Sequence, residues 1–126
     1  MIAYLDTQAL VWLAQGSLDH IGPKVNGLLQ QADLLYSPMV SLELEYLYEI
    51  ERIKQPARDI QRKVEFELGL RLCDLPFSTV ASVALDERWT RDPFDRLIVA
   101  NAKANGLAWL ISPDEKIALH YPRTVW

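Results

Sequence analysis

The chain has 126 residues, half of them hydrophobic, which is enough to bury one core and leaves little room for a second domain. A formal charge of −4 lacks the basic excess that usually marks a nucleic-acid binder. Bound divalent cations reverse the local sign at an acidic site, however, and a net value is silent about where the basic residues sit. A single cysteine, Cys73, rules out an internal disulfide and suits a reducing compartment.

Met1–Leu5 has no basic start and is cut short by Asp6, so it does not read as a signal peptide. No apolar stretch approaches the roughly 20 residues that span a bilayer. A soluble, cytoplasmic protein with no membrane partner is expected.

Ile2–Leu5 is a short unbroken apolar run, the pattern of a strand buried on both faces of a parallel sheet. Thr7 to Ala14 then reads as a short helix, Gly16 to Pro23 as a loop, and Pro23 to Ala32 as a second helix. A strand at Leu34–Tyr36 follows. Ser37-Pro38 starts a helix, with serine as N-cap and proline in the first helical position, and the helix is expected to run to about Lys54. Pro56 opens the next helix, ending near Gly69. Arg71 to Leu75 reads as a strand and Ser78 to Trp89 as a helix. Asp92-Pro93 starts a helix through Asn105, stopped by Gly106. Leu107–Ile111 is the clearest buried strand; a helical turn after Pro113 and a strand at Thr124–Trp126 complete the chain. The alternation predicts a single domain over residues 1–126. Its fold class is α/β, a three-layer α/β/α sandwich around a mainly parallel sheet. Ligands of such sheets bind beyond the carboxyl ends of the strands, where Asp6 and Asp114 fall.

Four acids carry the chemistry, and each has an ordinary reading beside the functional one. Glu43 has Met39, Val40, Tyr46 and Leu47 at helical spacing, so it interrupts an apolar stripe. A buried carboxylate needs a cation or hydrogen bonds; a bound metal and a neighbouring arginine serve equally. Asp6 reads as the N-cap of the helix after the first strand. Asp114 reads as a turn residue in Ser112-Pro113-Asp114-Glu115. In Asp92-Pro93-Phe94-Asp95, capping accounts for Asp92, while Asp95 either completes the capped first turn or points past it toward a cation. Taken singly, each acid is ordinary. As a set of four they offer the oxygen donors that hard cations such as Mg²⁺ prefer. His20 and His120 lack ligand-spaced partners, and Cys73 reads as core packing. No phosphate-binding loop, dinucleotide fingerprint or Gly-x-Ser-x-Gly elbow is present, leaving metal-assisted phosphodiester chemistry.

The segments Tyr4-Leu5-Asp6-Thr7, Ser37-Pro38-Met39-Val40-Ser41-Leu42-Glu43, Arg91-Asp92-Pro93-Phe94-Asp95-Arg96-Leu97-Ile98-Val99-Ala100 and Leu110-Ile111-Ser112-Pro113-Asp114 together resemble the PIN-domain nucleases. More narrowly they resemble the VapC-type toxins of bacterial toxin–antitoxin pairs, over essentially the whole chain. The resemblance implies that Asp6, Glu43, Asp95 and Asp114 hold Mg²⁺ or Mn²⁺ and form the catalytic set, with Asp92 in support. Ser112 stands where the family often has threonine and keeps the hydroxyl. Arg96, beside the cluster, is expected to pair with an acid, with phosphate contact as the alternative. The resemblance also implies RNA as substrate, a cognate antitoxin and a homodimer.

Two other classes remain for comparison. One is a PIN fold that has lost catalysis and only pairs with a partner protein. The other is aspartate phosphorylation: haloacid-dehalogenase phosphatases want a second aspartate where Gln8 stands, and receiver domains want a lysine where the chain has Ser112-Pro113-Asp114. Tyr46, Tyr48, Trp89 and Trp126 are expected mostly to pack in the core.

Overall fold

A computed structural model describes all residues 1–126. Five strands, β1 (Ile2–Leu5), β2 (Asp33–Tyr36), β3 (Arg71–Leu72), β4 (Trp109–Ile111) and β5 (Thr124–Val125), form one sheet in the order β3-β2-β1-β4-β5. Every pairing is parallel, so the sheet is wholly rather than mainly parallel, and the expected α/β sandwich stands. The connections are helical: α1 (Thr7–Gln15) and α2 (Val25–Gln31), then α3 (Pro38–Glu49) and α4 (Ala57–Leu68), then α5 (Phe77–Ala84) and α6 (Pro93–Ala104), and last α7 (Glu115–His120). A single 3₁₀ turn, Leu18–His20, interrupts the first crossover. No helix is long and apolar enough to cross a membrane.

Strand β1 lies at the centre because its apolar run satisfies both faces: Ala3, Tyr4 and Leu5 are fully buried, as are Leu110 and Ile111 beside them. From β1 the chain steps outward through β2 to β3, then crosses back to place β4 on the other side of β1. The order of strands therefore reverses between β1 and β4, and the crevice at their carboxyl ends is the expected ligand position. The backbone joins them there, Asp6 N–H donating to the Ile111 carbonyl at 3.0 Å.

A polar network sits inside this core. The Tyr4 hydroxyl donates to Cys73 Sγ at 3.0 Å and accepts from Asn105 Nδ2 at 2.7 Å and Asn101 Nδ2 at 3.3 Å. Cys73 is thus buried in the core, as expected, although it lies just beyond β3 rather than within a longer strand. Tyr4→Phe takes the acceptor from the Asn105 amide, while Asn101 keeps its bond to Cys73 Sγ at 3.1 Å, so it is expected to lower stability by about 1–3 kcal/mol. The midpoint of urea unfolding reads that loss.

Several boundaries differ from the sequence reading, each for a local reason. Helix α3 stops at Glu49, five residues short of Lys54. Its end is a Schellman motif, Arg52 N–H donating to the Leu47 carbonyl at 2.8 Å and Glu51 N–H to Tyr48 at 3.0 Å. The left-handed position is held by Glu51 (φ 63°) where glycine is usual. The side chain of Glu45 then reaches across to accept from Ala57 N–H at 3.1 Å, capping α4, whose Pro56 start offers no acceptor. Strand β4 begins at Trp109 because Gly106 (φ 67°) and Leu107 (φ 55°) are both left-handed. Trp89 and Trp126 pack against the core as expected, whereas Tyr46 and Tyr48 are exposed, Tyr46 tilting over Phe94 with ring centroids 5.9 Å apart.

Candidate active site

The pocket at the β1–β4 crevice, about 490 Å³ in volume, is lined by Asp6, Glu43, Asp95 and Asp114, together with Thr7 and Trp12. The four acids come from four elements, and local physics places each. Asp6 follows β1 and caps α1, its Oδ1 accepting from Ala9 N–H at 2.8 Å. Asp114 follows β4 and caps α7, its Oδ1 accepting from Lys116 N–H at 2.8 Å and Ile117 N–H at 3.1 Å. Asp95 lies in the first turn of α6, which Asp92 caps by accepting from Phe94 N–H at 2.8 Å. Glu43 projects from the second turn of α3, which Ser37 caps. The capping readings of Asp6 and Asp92 are therefore correct, Asp114 proves to be a helix cap rather than a plain turn residue, and all three roles coexist with a place in or beside the pocket. A cap uses one carboxylate oxygen; the positive end of each helix dipole also favours a negative charge there.

Hydroxyls fix two of the acids. Ser112 donates to Asp6 Oδ2 and accepts from Asp114 N–H at 3.1 Å, so it ties the two aspartates across β1 and β4. Thr7 donates to Glu43 Oε1 at 2.5 Å, and no arginine pairs with Glu43. Thr7 was not singled out by sequence reasoning; its position directly after Asp6 was the signal available. Asp92 is exposed and does not line the pocket.

Arg96 requires correction. It pairs with no acid: its Nε donates to the Ala84 carbonyl at 2.7 Å and its Nη2 to the Leu85 carbonyl at 3.1 Å. The guanidinium thus satisfies the carboxyl end of α5, which helps explain why that helix closes at Ala84 rather than Trp89. Arg96→Met is expected to cost about 1–2 kcal/mol of stability, from lost charge-assisted hydrogen bonds. Urea unfolding measures it; a variant of unchanged stability would return Arg96 to the substrate.

The electrostatics are those of crowded acids. Burial pushes the Asp6 carboxyl up to about 7, opposed by its bonds to Ser112 and Ala9 and reinforced by the charges of Asp114 and Asp95. Burial and then the neighbours Asp92, Asp114 and Glu43 raise Asp95 to about 6, against a lesser pull from Lys116. Glu43 is raised by burial, partly offset by Thr7. Among the side chains acting on the three, Lys116 is the one cation.

The donor set fits a hard divalent ion: all oxygen, with neither histidine nor cysteine lining the pocket. The carboxylates do not converge on one point closely enough for three of them to be direct ligands together. That spacing suits an ion that keeps several of its waters, as Mg²⁺ does. The family model for the PIN domain matches residues 3–121. The chain belongs to the PIN domain family. Its likeness to solved structures is one of fold. A chain of the VapBC2 complex from Rickettsia felis, solved bound to a DNA fragment from its promoter, superposes with a TM-score of 0.66 at 20% identity. That match covers 99% of this PIN domain and 96% of the other chain. A chain of VapBC-1 from nontypeable Haemophilus influenzae gives 0.65 at 20% identity, covering 100% and 96%. No curated protein matches the sequence.

Proposed function

We propose that this single PIN domain is a divalent-metal-dependent endoribonuclease, the cytoplasmic toxin of a toxin–antitoxin pair. The observation that carries the reading is the pocket itself: four carboxylates on one crevice, three of them raised by burial and by neighbouring carboxylates, with one lysine in opposition. Such a pocket gains most from a cation supplied from outside. Mg²⁺ or Mn²⁺ bound there would polarise a scissile phosphate and ready a water for in-line attack. Asp6 and Asp95 would be the residues that hold the ion. Glu43 and Asp114 would help hold it, directly or through water, or would orient the attacking water. Ser112 and Thr7 keep Asp6 and Glu43 aimed, and the caps on α1 and α7 prevent Asp6 and Asp114 from swinging away. RNA as the substrate follows from the family resemblance of the motifs. A cognate antitoxin is supported by the structural neighbours, both of which come from VapBC complexes. A homodimer is proposed on the same resemblance.

Incubation of a mixed RNA pool with purified protein tests the reading. Cleavage in Mn²⁺ that stops in EDTA is expected. Intact RNA under both conditions would leave a PIN fold that serves only to bind its partner.

A further inference from the structure

Five of the chain's 13 lysines and arginines fall between residues 52 and 63, accompanied by one acid, Asp59. The segment Arg52-Ile53-Lys54-Gln55-Pro56-Ala57-Arg58-Asp59-Ile60-Gln61-Arg62-Lys63 is therefore strongly basic within a protein of net charge −4. The structure folds part of it around a cleft of about 440 Å³ between α1, the α3–α4 loop and the start of α4. Its floor is apolar, including Val11 and Ile60; its rim carries Arg52, Lys54 and Lys63 with the amides of Gln15 and Gln55. No acid lines it. The three cations are exposed and engaged in no ion pair, since Asp59 pairs with Arg62 instead. Glu49, at the end of α3, and Glu51, in the loop that follows, line an adjoining hollow that shares Ile53 and Lys54.

The cleft and the active site are separate hollows that share one helix as a wall. Gln8 and Trp12 of α1 line the carboxylate pocket, while Val11, Ala14 and Gln15 line the basic cleft. Gln8 and Gln15 are about 10 Å apart along the helix axis. A polyanion held at the cleft is thus delivered to the edge of the carboxylate pocket, which by its own charge repels one.

We propose that the Arg52–Lys54–Lys63 cleft binds the phosphate backbone of single-stranded RNA a few nucleotides from the scissile bond, supplying the electrostatic attraction that the acidic pocket lacks. The proposal rests on the nuclease reading for its purpose but not for its measurement. Unpaired cations with an amide rim and no aromatic platform recognise charge rather than base identity. Binding there is accordingly indifferent to sequence and steeply salt-dependent.

The test is fluorescence anisotropy of a labelled, mixed-sequence 15-nucleotide RNA in EDTA, where metal-dependent cleavage does not consume the probe, across a KCl series. The triple variant Arg52→Gln/Lys54→Gln/Lys63→Gln is expected to bind about tenfold more weakly at 50 mM KCl, with a log–log salt slope shallower by about 2. A control that removes three exposed cations elsewhere, Lys24→Gln/Arg71→Gln/Arg88→Gln, should stay close to the wild type. Equal losses in both triples, an unchanged slope, or no RNA binding by the wild type overturns the proposal. It also falls if the first triple loses affinity for an acidic 15-residue peptide while RNA binding is unaltered, for the cleft then serves a protein. A wild type that binds RNA through the cleft yet cuts none in Mn²⁺ sinks the nuclease reading and leaves the cleft standing.

Discussion

Asp6→Asn should abolish RNA cleavage and, in the same protein, raise stability in EDTA at pH 8. Both effects come from one charge. Asp6 is buried and its carboxyl is pushed up to about 7, so at pH 8 the folded protein without metal holds an anion that its surroundings resist. Three units above the ordinary value correspond to about 4 kcal/mol, of which asparagine should recover roughly 2–4 kcal/mol. Asparagine caps a helix about as well as aspartate, so the bond from Ala9 N–H survives. Its amide can donate to Ser112 Oγ in place of the bond now running the other way. Activity should fall by more than about 100-fold, because even partners that only orient a ligand cost about 10–100-fold. Urea unfolding at pH 8 and at pH 4, beside a cleavage assay in Mn²⁺, gives the comparison. The stability gain should vanish at pH 4, where Asp6 is protonated in the folded protein. Undiminished cleavage would remove Asp6 from the chemistry.

Without metal, the wild type should lose stability as pH rises through 6 and 7, and Mn²⁺ should restore it. Asp6 and Asp95 are raised in the folded state, to about 7 and about 6, and Glu43 is raised as well. A raised carboxylate binds its proton more tightly folded than unfolded. Its contribution is therefore complete below the unfolded value near 4 and is lost as pH passes the folded value. A divalent ion reverses the trend, because it takes the place of those protons and is bound by the folded state alone. At one hundred times its dissociation constant it stabilises by about 2.7 kcal/mol, or roughly 10 °C in Tm for a chain of this size. Thermal unfolding at pH 5 and pH 8, with and without Mn²⁺, should show a large gain at pH 8 and a small one at pH 5. Equal gains at both values would detach metal binding from these carboxylates.

What could be read from the sequence was what local chemistry dictates. The unbroken run Ile2–Leu5 had to be an interior parallel strand, and Ser37-Pro38 and Asp92-Pro93 start α3 and α6 where serine, aspartate and proline require. What escaped was set by residues distant in the chain or by backbone states without a sequence signal. Glu51 closes α3 from a left-handed position that glycine or asparagine would have announced. Arg96 satisfies the end of α5 from the next helix, 12 residues on. The bonds that aim the acids span 36 residues from Thr7 to Glu43 and 106 from Asp6 to Ser112, beyond the reach of any window pattern. The basic segment at 52–63 was legible as composition, but its cleft was not, because Val11 and Gln15 contribute from the first helix.

Asp6 and Asp114 each fasten a helix by one oxygen, and this has a consequence for how such a site ages. If the proposed nuclease reading holds, a rivet that also works as a tool cannot drift freely: alanine at either position would loosen a helix as well as silence the chemistry. Asparagine, keeping the fastening, is the change by which this lineage could fall silent and still fold.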